Sequence, residues 1–217
     1  MTHELQHPLI QRSYRRQYKS LLDELRVGKG TRVLDIGSGL GFLKVLVQAR
    51  GASYIGIEPD AASIESARAL YGPEGFVLGF FPEAAPAQRF DVALVLSCVD
   101  EVPDKAGFLR GLKAHLESGT GVGYIAVRNR SFFVNRFKTE ATMAGRSQRA
   151  RIKDLSSSEW EALIEASGLC VSEQGKFWRP WLTGFSFTGL KNVAYRLISL
   201  LGPRRGSYML YYKIIAP

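Results

Sequence analysis

Three glycines at alternate positions, Gly37, Gly39 and Gly41, follow directly on an apolar run, Val33-Leu34-Asp35-Ile36. Without a Cβ, such a turn lets the backbone pass close to a ligand and adopt positive φ at no steric cost. It opens onto a segment with helical character, Phe42 to Arg50. The first N–H groups of such a helix lack intrahelical partners and suit a polar or anionic group. Acids flank the turn. Asp35 stands two residues before the first glycine, and Glu58 closes a second apolar run, Ser53-Tyr54-Ile55-Gly56-Ile57, ahead of Pro59 and Asp60. A carboxylate placed there can accept both hydroxyl protons of a vicinal diol such as a ribose. The G-x-G-x-G spacing differs from the G-x-G-x-x-G of dinucleotide sites, which hold a pyrophosphate at the helix end.

Positioning these groups takes strands that alternate with helices. A leading helix is expected over 8–27, with Leu9, Leu21, Leu22 and Leu25 apolar and Arg12, Arg15, Arg16 and Lys19 as a basic cluster. Strands are expected at 31–36, 53–58, 76–78, 91–96 and 124–127. The fourth, Asp91-Val92-Ala93-Leu94-Val95-Leu96, is continuous and apolar like a central parallel strand. Helices are expected near 60–71 and over 104–117, and Ser156-Ser157-Ser158-Glu159 has the chemistry to start another. Gly168 ends that helix before a sixth strand at 169–172 or beyond, and 208–215 reads as the last strand. Alternation of this kind gives an α/β fold, a doubly wound and mostly parallel sheet with helices on both faces.

At 217 residues the chain reads as one domain able to bury a full core. Within it, 1–29 reads as an N-terminal helical cap, 30–130 as a ligand-binding core, and 131–155 and 176–206 as inserted lid or substrate segments. A hydrophobic content of 46% with 23% charged residues excludes a disordered or fibrous class. The start shows no signal-peptide pattern and no apolar run suits a membrane span, so a cytoplasmic protein is expected. The two cysteines, Cys98 and Cys170, lack metal-ligand spacing and are expected as small core residues. The net charge of +9 is wholly C-terminal: residues 128–217 carry 15 Lys/Arg against 6 Asp/Glu, whereas 1–127 balance. Such asymmetry suits either a solvated surface or a face for an anionic partner.

On these motifs the chain resembles the class I S-adenosylmethionine-dependent methyltransferases, whose pattern is acid-x-G-x-G-x-G followed by an acid closing the second strand. The likeness covers roughly residues 30–175 and the final strand. It implies a seven-stranded sheet with the last strand inserted antiparallel near the edge. It also implies S-adenosylmethionine as cofactor and S-adenosylhomocysteine as product. Asp35 would orient the loop or the cofactor's amino group, Gly37, Ser38, Gly39 and Gly41 would flank its methionine part, and Glu58 with Pro59 would hold the ribose. The family's third strand ends in an acid that touches the adenine amine; here the residues are Leu78-Gly79-Phe80-Phe81, so Phe80 or Phe81 would stack on the adenine. After the fourth strand stand Ser97-Cys98-Val99-Asp100-Glu101, where many small-molecule members carry a histidine. With Arg128-Asn129 after the fifth strand, this pattern is similar to the quinone-ring O-methyltransferase branch.

Methyl transfer from a sulfonium is an in-line displacement, accelerated mainly by a near-attack geometry, and a base helps only when the acceptor must lose a proton. Asp100 and Glu101 are the candidates for that base, with pairing to nearby arginines as their other reading, and Ser97 joins the cofactor set. Tyr14, Arg128, Asn129, Arg146 and Trp178 are candidates for the acceptor. His115 falls inside a helix and reads as structural. Within the second insert, Leu190, Val193, Ala194, Leu197, Ile198 and Leu201 recur at helical spacing. That stripe suits core packing, a lid, or a peripheral membrane contact made with the basic, aromatic residues around it. A small or amphipathic acceptor, neutral or anionic, methylated at oxygen is the leading expectation. RNA methylation and a non-catalytic cofactor-binding subunit or sensor are the alternatives. No Asn/Asp-Pro-Pro-aromatic motif follows the fourth strand, which weighs against a nucleic-acid substrate.

Overall fold

A computed structural model of the chain describes residues 8–129, 155–177 and 209–217, with side chains from Arg15 onward. The described strands are β1 (Arg32–Ile36), β2 (Ser53–Glu58), β3 (Phe76–Leu78), β4 (Val92–Leu96), β5 (Val122–Arg128), β6 (Cys170–Phe177) and β7 (Met209–Ile215). The described helices are α1 (Pro8–Glu24), α2 (Phe42–Gln48), α3 (Ala61–Tyr71), α4 (Lys105–His115) and α5 (Ser157–Ala166). One sheet of seven strands runs in the order β3-β2-β1-β4-β5-β7-β6. β1 to β5 pair in parallel, and β7 is antiparallel to both of its neighbours, β5 and β6. This is the doubly wound sheet with an inserted last strand that the sequence led us to expect.

Period-two alternation along the central strands feeds two cores. Leu34, Ile36, Ala93, Val95, Ile125 and Val127 face one side, where Phe108, Leu109 and Leu112 of α4 and Trp160 and Ile164 of α5 cover them. Val33, Val92, Leu94, Tyr124 and Ala126 face the other, beneath Leu21 and Leu22 of α1, Leu43, Leu46 and Val47 of α2 and Ile64 and Ala67 of α3. Burial on both faces is what makes β4 an unbroken apolar run. Helix starts follow local chemistry. Asp60 caps α3 through the Ser63 N–H, Asp104 caps α4 through the Gly107 N–H, and Ser156 with Glu159 forms the expected capping box on α5.

Four expectations are corrected. α1 ends at Glu24 rather than 27, because Arg26 turns to a φ of 54° while its N–H bonds Asp23 O and the Val27 N–H bonds Leu22 O, the pattern that closes a helix. Lys176 and Phe177 belong to β6 and not to an insert, since they pair with Leu210 and Met209. Cys170 is exposed, because it opens the outermost strand. Cys98 lies in the turn after β4 and is half-buried, packed against the core rather than within it. Arg146, Trp178 and the stripe from Leu190 to Leu201 lie outside the described residues. Among the described residues no helix is long and apolar enough to cross a membrane.

Candidate active site

The winding order reverses between β1 and β4, and the crevice at the carboxyl ends of two such strands is where open α/β sheets take ligands. β1 delivers the glycine loop there. The Gly37 and Ser38 N–H groups both donate to Ile57 O, at 2.8 and 3.1 Å, which clamps the loop onto β2. The Gly39 N–H donates to Glu58 Oε2 at 2.9 Å, and the Asp60 N–H donates to Oε1 at 3.0 Å. All three loop glycines have positive φ, but they meet different surroundings. A Cβ at Gly37 would lie 2.6 Å from the Cys98 Cβ, and one at Gly41 would lie 2.5 Å from the Phe76 ring. At Gly39 it would meet nothing within 4 Å. Gly37 and Gly41 are therefore packing glycines, and Gly39 alone leaves open space beside the loop.

Asp35, under this loop, is 3% exposed and accepts a hydrogen bond of 2.8 Å from the Tyr54 hydroxyl. Burial pushes its carboxyl up to about 7; the Tyr54 bond opposes the rise and the charge of Glu58 adds to it. The backbone after β4 is bent. Ser97 holds a φ of 72° without being glycine, a conformation that costs about 1 kcal/mol or more and concentrates at functional sites. Its N–H donates to Ala126 O at 3.0 Å and its hydroxyl lies 3.9 Å from Met209 Sδ. The Cys98 thiol donates to Ile36 O at 3.2 Å. Burial and the negative charges of Asp35, Asp100 and Glu58 all raise its pKa, which favours the thiol over the thiolate.

The structure separates the remaining candidates. Asp100 is 1% exposed, and both its carboxylate oxygens accept from the Arg128 backbone N–H, at 3.2 and 3.1 Å. Arg128 Nε lies 3.7 Å from the same carboxylate. Asp100 thus ties the turn after β4 to the end of β5, the pairing reading of that acid, whereas Glu101 is exposed. Asn129 is fully buried and Arg128 half-buried. Phe81 turns inward, edge-on to Phe108 at 5.0 Å and to His115 at 5.4 Å, which removes it from any stacking role. Phe80 is 72% exposed, one residue after a Gly79 N–H bonded to Glu58 O at 3.1 Å. Pro59 is exposed, and Tyr14 lies in α1 four residues before Tyr18. His115 closes α4 with its ring bonded to Gly111 O, a structural position as expected.

Two residues escaped the sequence reading. Tyr54 stands in an apolar strand run, and its hydroxyl is the signal of a polar role. Lys44, set among Phe42, Leu43, Val45, Leu46 and Val47 of α2, is 2% exposed. Its ammonium donates to Tyr71 O at 2.7 Å, Gly72 O at 3.2 Å and Glu74 O at 2.7 Å, and sits 4.8 Å from the centre of the Phe76 ring.

The residues present suit a ligand with a diol and a cationic end. Gly39 offers the space, and each Glu58 oxygen keeps a second lone pair beyond its backbone bond. Asp35, Glu58 and Asp100 act together on the Cys98 thiol, a field that favours positive charge. Among the described residues no group of three or more His, Cys, Asp or Glu could hold a metal ion.

A family profile described as "Methyltransferase domain" matches residues 7–174. The ubiquinone biosynthesis O-methyltransferase of Rhodopseudomonas palustris (strain BisB5) is 29% identical over 198 residues, covering 87% of this chain and 78% of that protein. The methyltransferase solved in complex with the Haloferax volcanii Trm112 methyltransferase activator superposes with a TM-score of 0.70 at 20% identity, over 93% of this chain and 91% of that one. A methyltransferase dependent on S-adenosylmethionine from Thermotoga maritima gives 0.63 at 19% identity, over 96% and 92% of the two chains. At those identities the two structures share the fold with this chain.

Proposed function

The chain belongs to the methyltransferase-domain family as an S-adenosylmethionine-dependent enzyme, and from that premise we propose that it methylates a hydroxyl oxygen on a small or amphipathic acceptor. The observation that carries the site is the open space at Gly39, with the Glu58 carboxylate bonded to that residue's N–H and Asp35 buried beneath the loop. In this reading Glu58 accepts from the ribose hydroxyls, Ser38 and Pro59 line the loop and the strand end, and exposed Phe80 covers the adenine face. Asp35 supplies negative charge to the cationic end of the cofactor, and strained Ser97 shapes the floor after β4.

S-adenosylmethionine, when bound, supplies a methyl already activated by its sulfonium charge. What remains for the protein is to hold the acceptor oxygen in line and to take its proton if the oxygen is a phenol. Of the two acids after β4, Glu101 has the exposed carboxylate, so the proton falls to it, and half-buried Arg128 would meet an anionic acceptor. The name of the Rhodopseudomonas relative supports a phenolic hydroxyl on a quinone-type ring as the acceptor.

Calorimetric titration with S-adenosylmethionine should give micromolar binding, weakened about tenfold or more by Gly39→Ala or Glu58→Ala. Undiminished affinity in both variants would remove this loop from the cofactor site. Release of S-adenosylhomocysteine should then be followed with a catechol and with a prenylated catechol as acceptors. Turnover of neither at saturating cofactor would defeat the phenolic reading.

A further inference from the structure

Tyr54 has no packing reason to be a tyrosine. Its ring lies edge-on to Phe76, 5.8 Å between centroids at 74°, a contact phenylalanine would make equally well. The hydroxyl is instead buried, and a buried hydroxyl costs free energy unless it is bonded. Its acceptor is a buried carboxylate, Asp35, at 2.8 Å. Space for this contact comes from Gly56 in β2, where a Cβ would lie 2.6 Å from the Tyr54 oxygen and 2.8 Å from the Ser38 Cβ. Gly56 is also the residue paired with Asp35 across β1 and β2. Three positions on two strands and the loop are thus shaped around one bond.

We propose that Tyr54 is a positioning residue for cofactor binding: its hydroxyl, donated from β2, holds the Asp35 carboxylate under the glycine loop as the counter-charge to the cationic end of the cofactor. The proposal rests on the cofactor reading of the loop given above. The titratable and polar groups felt by Asp35 or by Tyr54 come from β2, the loop, the turn after β4 and α1. They are Tyr54 and Glu58 from β2, Ser38 from the loop, Cys98 after β4, and Tyr18 of α1, whose phenol is felt at Tyr54. Of these only Tyr54 bonds the carboxylate, and Glu58 raises its pKa. Asp35 titrates near 7, so the share of anionic Asp35, and with it affinity for a cation, rises with pH through that value. Removing the Tyr54 bond takes away the contribution that opposes the rise in pKa, and so moves the step to higher pH.

The test is calorimetric titration of S-adenosylmethionine into wild type, Tyr54→Phe, Asp35→Asn and the double variant between about pH 5.5 and 8.5. Wild-type affinity should increase through about pH 7, and Tyr54→Phe should weaken binding about tenfold there while displacing the increase upward. Asp35→Asn should abolish the increase, and adding Tyr54→Phe to it should change affinity less than about twofold. Equal weakening by Tyr54→Phe in both backgrounds, or an undisplaced increase, overturns the proposal. If Tyr54→Phe does not fold, a wild-type profile as flat as that of Asp35→Asn overturns it equally. A wild type that binds no cofactor at any pH sinks the loop assignment itself, a failure distinct from loss of the Tyr54 effect alone.

Discussion

Asp100 illustrates how burial reassigns a residue. An acid after the fourth strand is placed for proton transfer by its position in the chain, yet with 1% exposure and two oxygens on the Arg128 N–H it serves the backbone. Asp100→Asn should therefore destabilise the fold by about 1–3 kcal/mol, since the amide keeps one acceptor and loses the charge. Thermal melts should fall while affinity for S-adenosylmethionine stays within about twofold. A changed pH–rate profile without a stability loss would return Asp100 to proton transfer. At this scale the sequence is readable by type and spacing: Gly39, Glu58 and Asp35 come together as the motif requires. What it does not carry is orientation. Phe80 and Phe81 are adjacent and identical, and only packing against Phe108 and His115 turns one of them inward.

Among elements, the tie between α2 and the α3–β3 connection matters most for the site. Lys44 reaches from α2 to three carbonyls at the end of α3 and in the following turn, and its ammonium rests on Phe76, the ring that fills the space beside Gly41. Helix, turn and β3 are thereby fixed relative to the glycine loop. Lys44→Met would keep the stem and leave those carbonyls without a donor, so we expect a loss of about 2–4 kcal/mol. A lower urea midpoint at unchanged m would register it; a midpoint unaltered within error would mean that water replaces the ammonium. Strand positions were legible because parallel strands buried on both faces are written as apolar runs. The exposure of Cys170 was not, because it depends on β6 being outermost, a fact of strand order rather than of local pattern.

For the molecule as a whole, Asp35 places a cost on stability. Its folded pKa of about 7 lies above its ordinary 3.8, so folding favours the neutral acid. The stability this gives is complete below about pH 4 and is lost as pH rises to about 7, amounting to roughly 4 kcal/mol in the unliganded protein. Asp91 and Glu173, whose pKa values are lowered by Arg32 and by Lys213 respectively, act in the opposite sense at the acid end. The gap in unfolding free energy between Asp35→Asn and wild type should therefore widen from about pH 4 to 7 in denaturant titrations. A constant gap would mean that Asp35 titrates as an ordinary carboxyl. Strand order has a further consequence, for synthesis. β7 follows β6 in the chain but lies between β5 and β6. β5 gains this neighbour, and β6 its partner strand, only once Met209–Ile215 has been made. Among the described strands the one that joins β5 to β6 is the last to be synthesised, and the interval before it is the one in which a chaperone has most to protect.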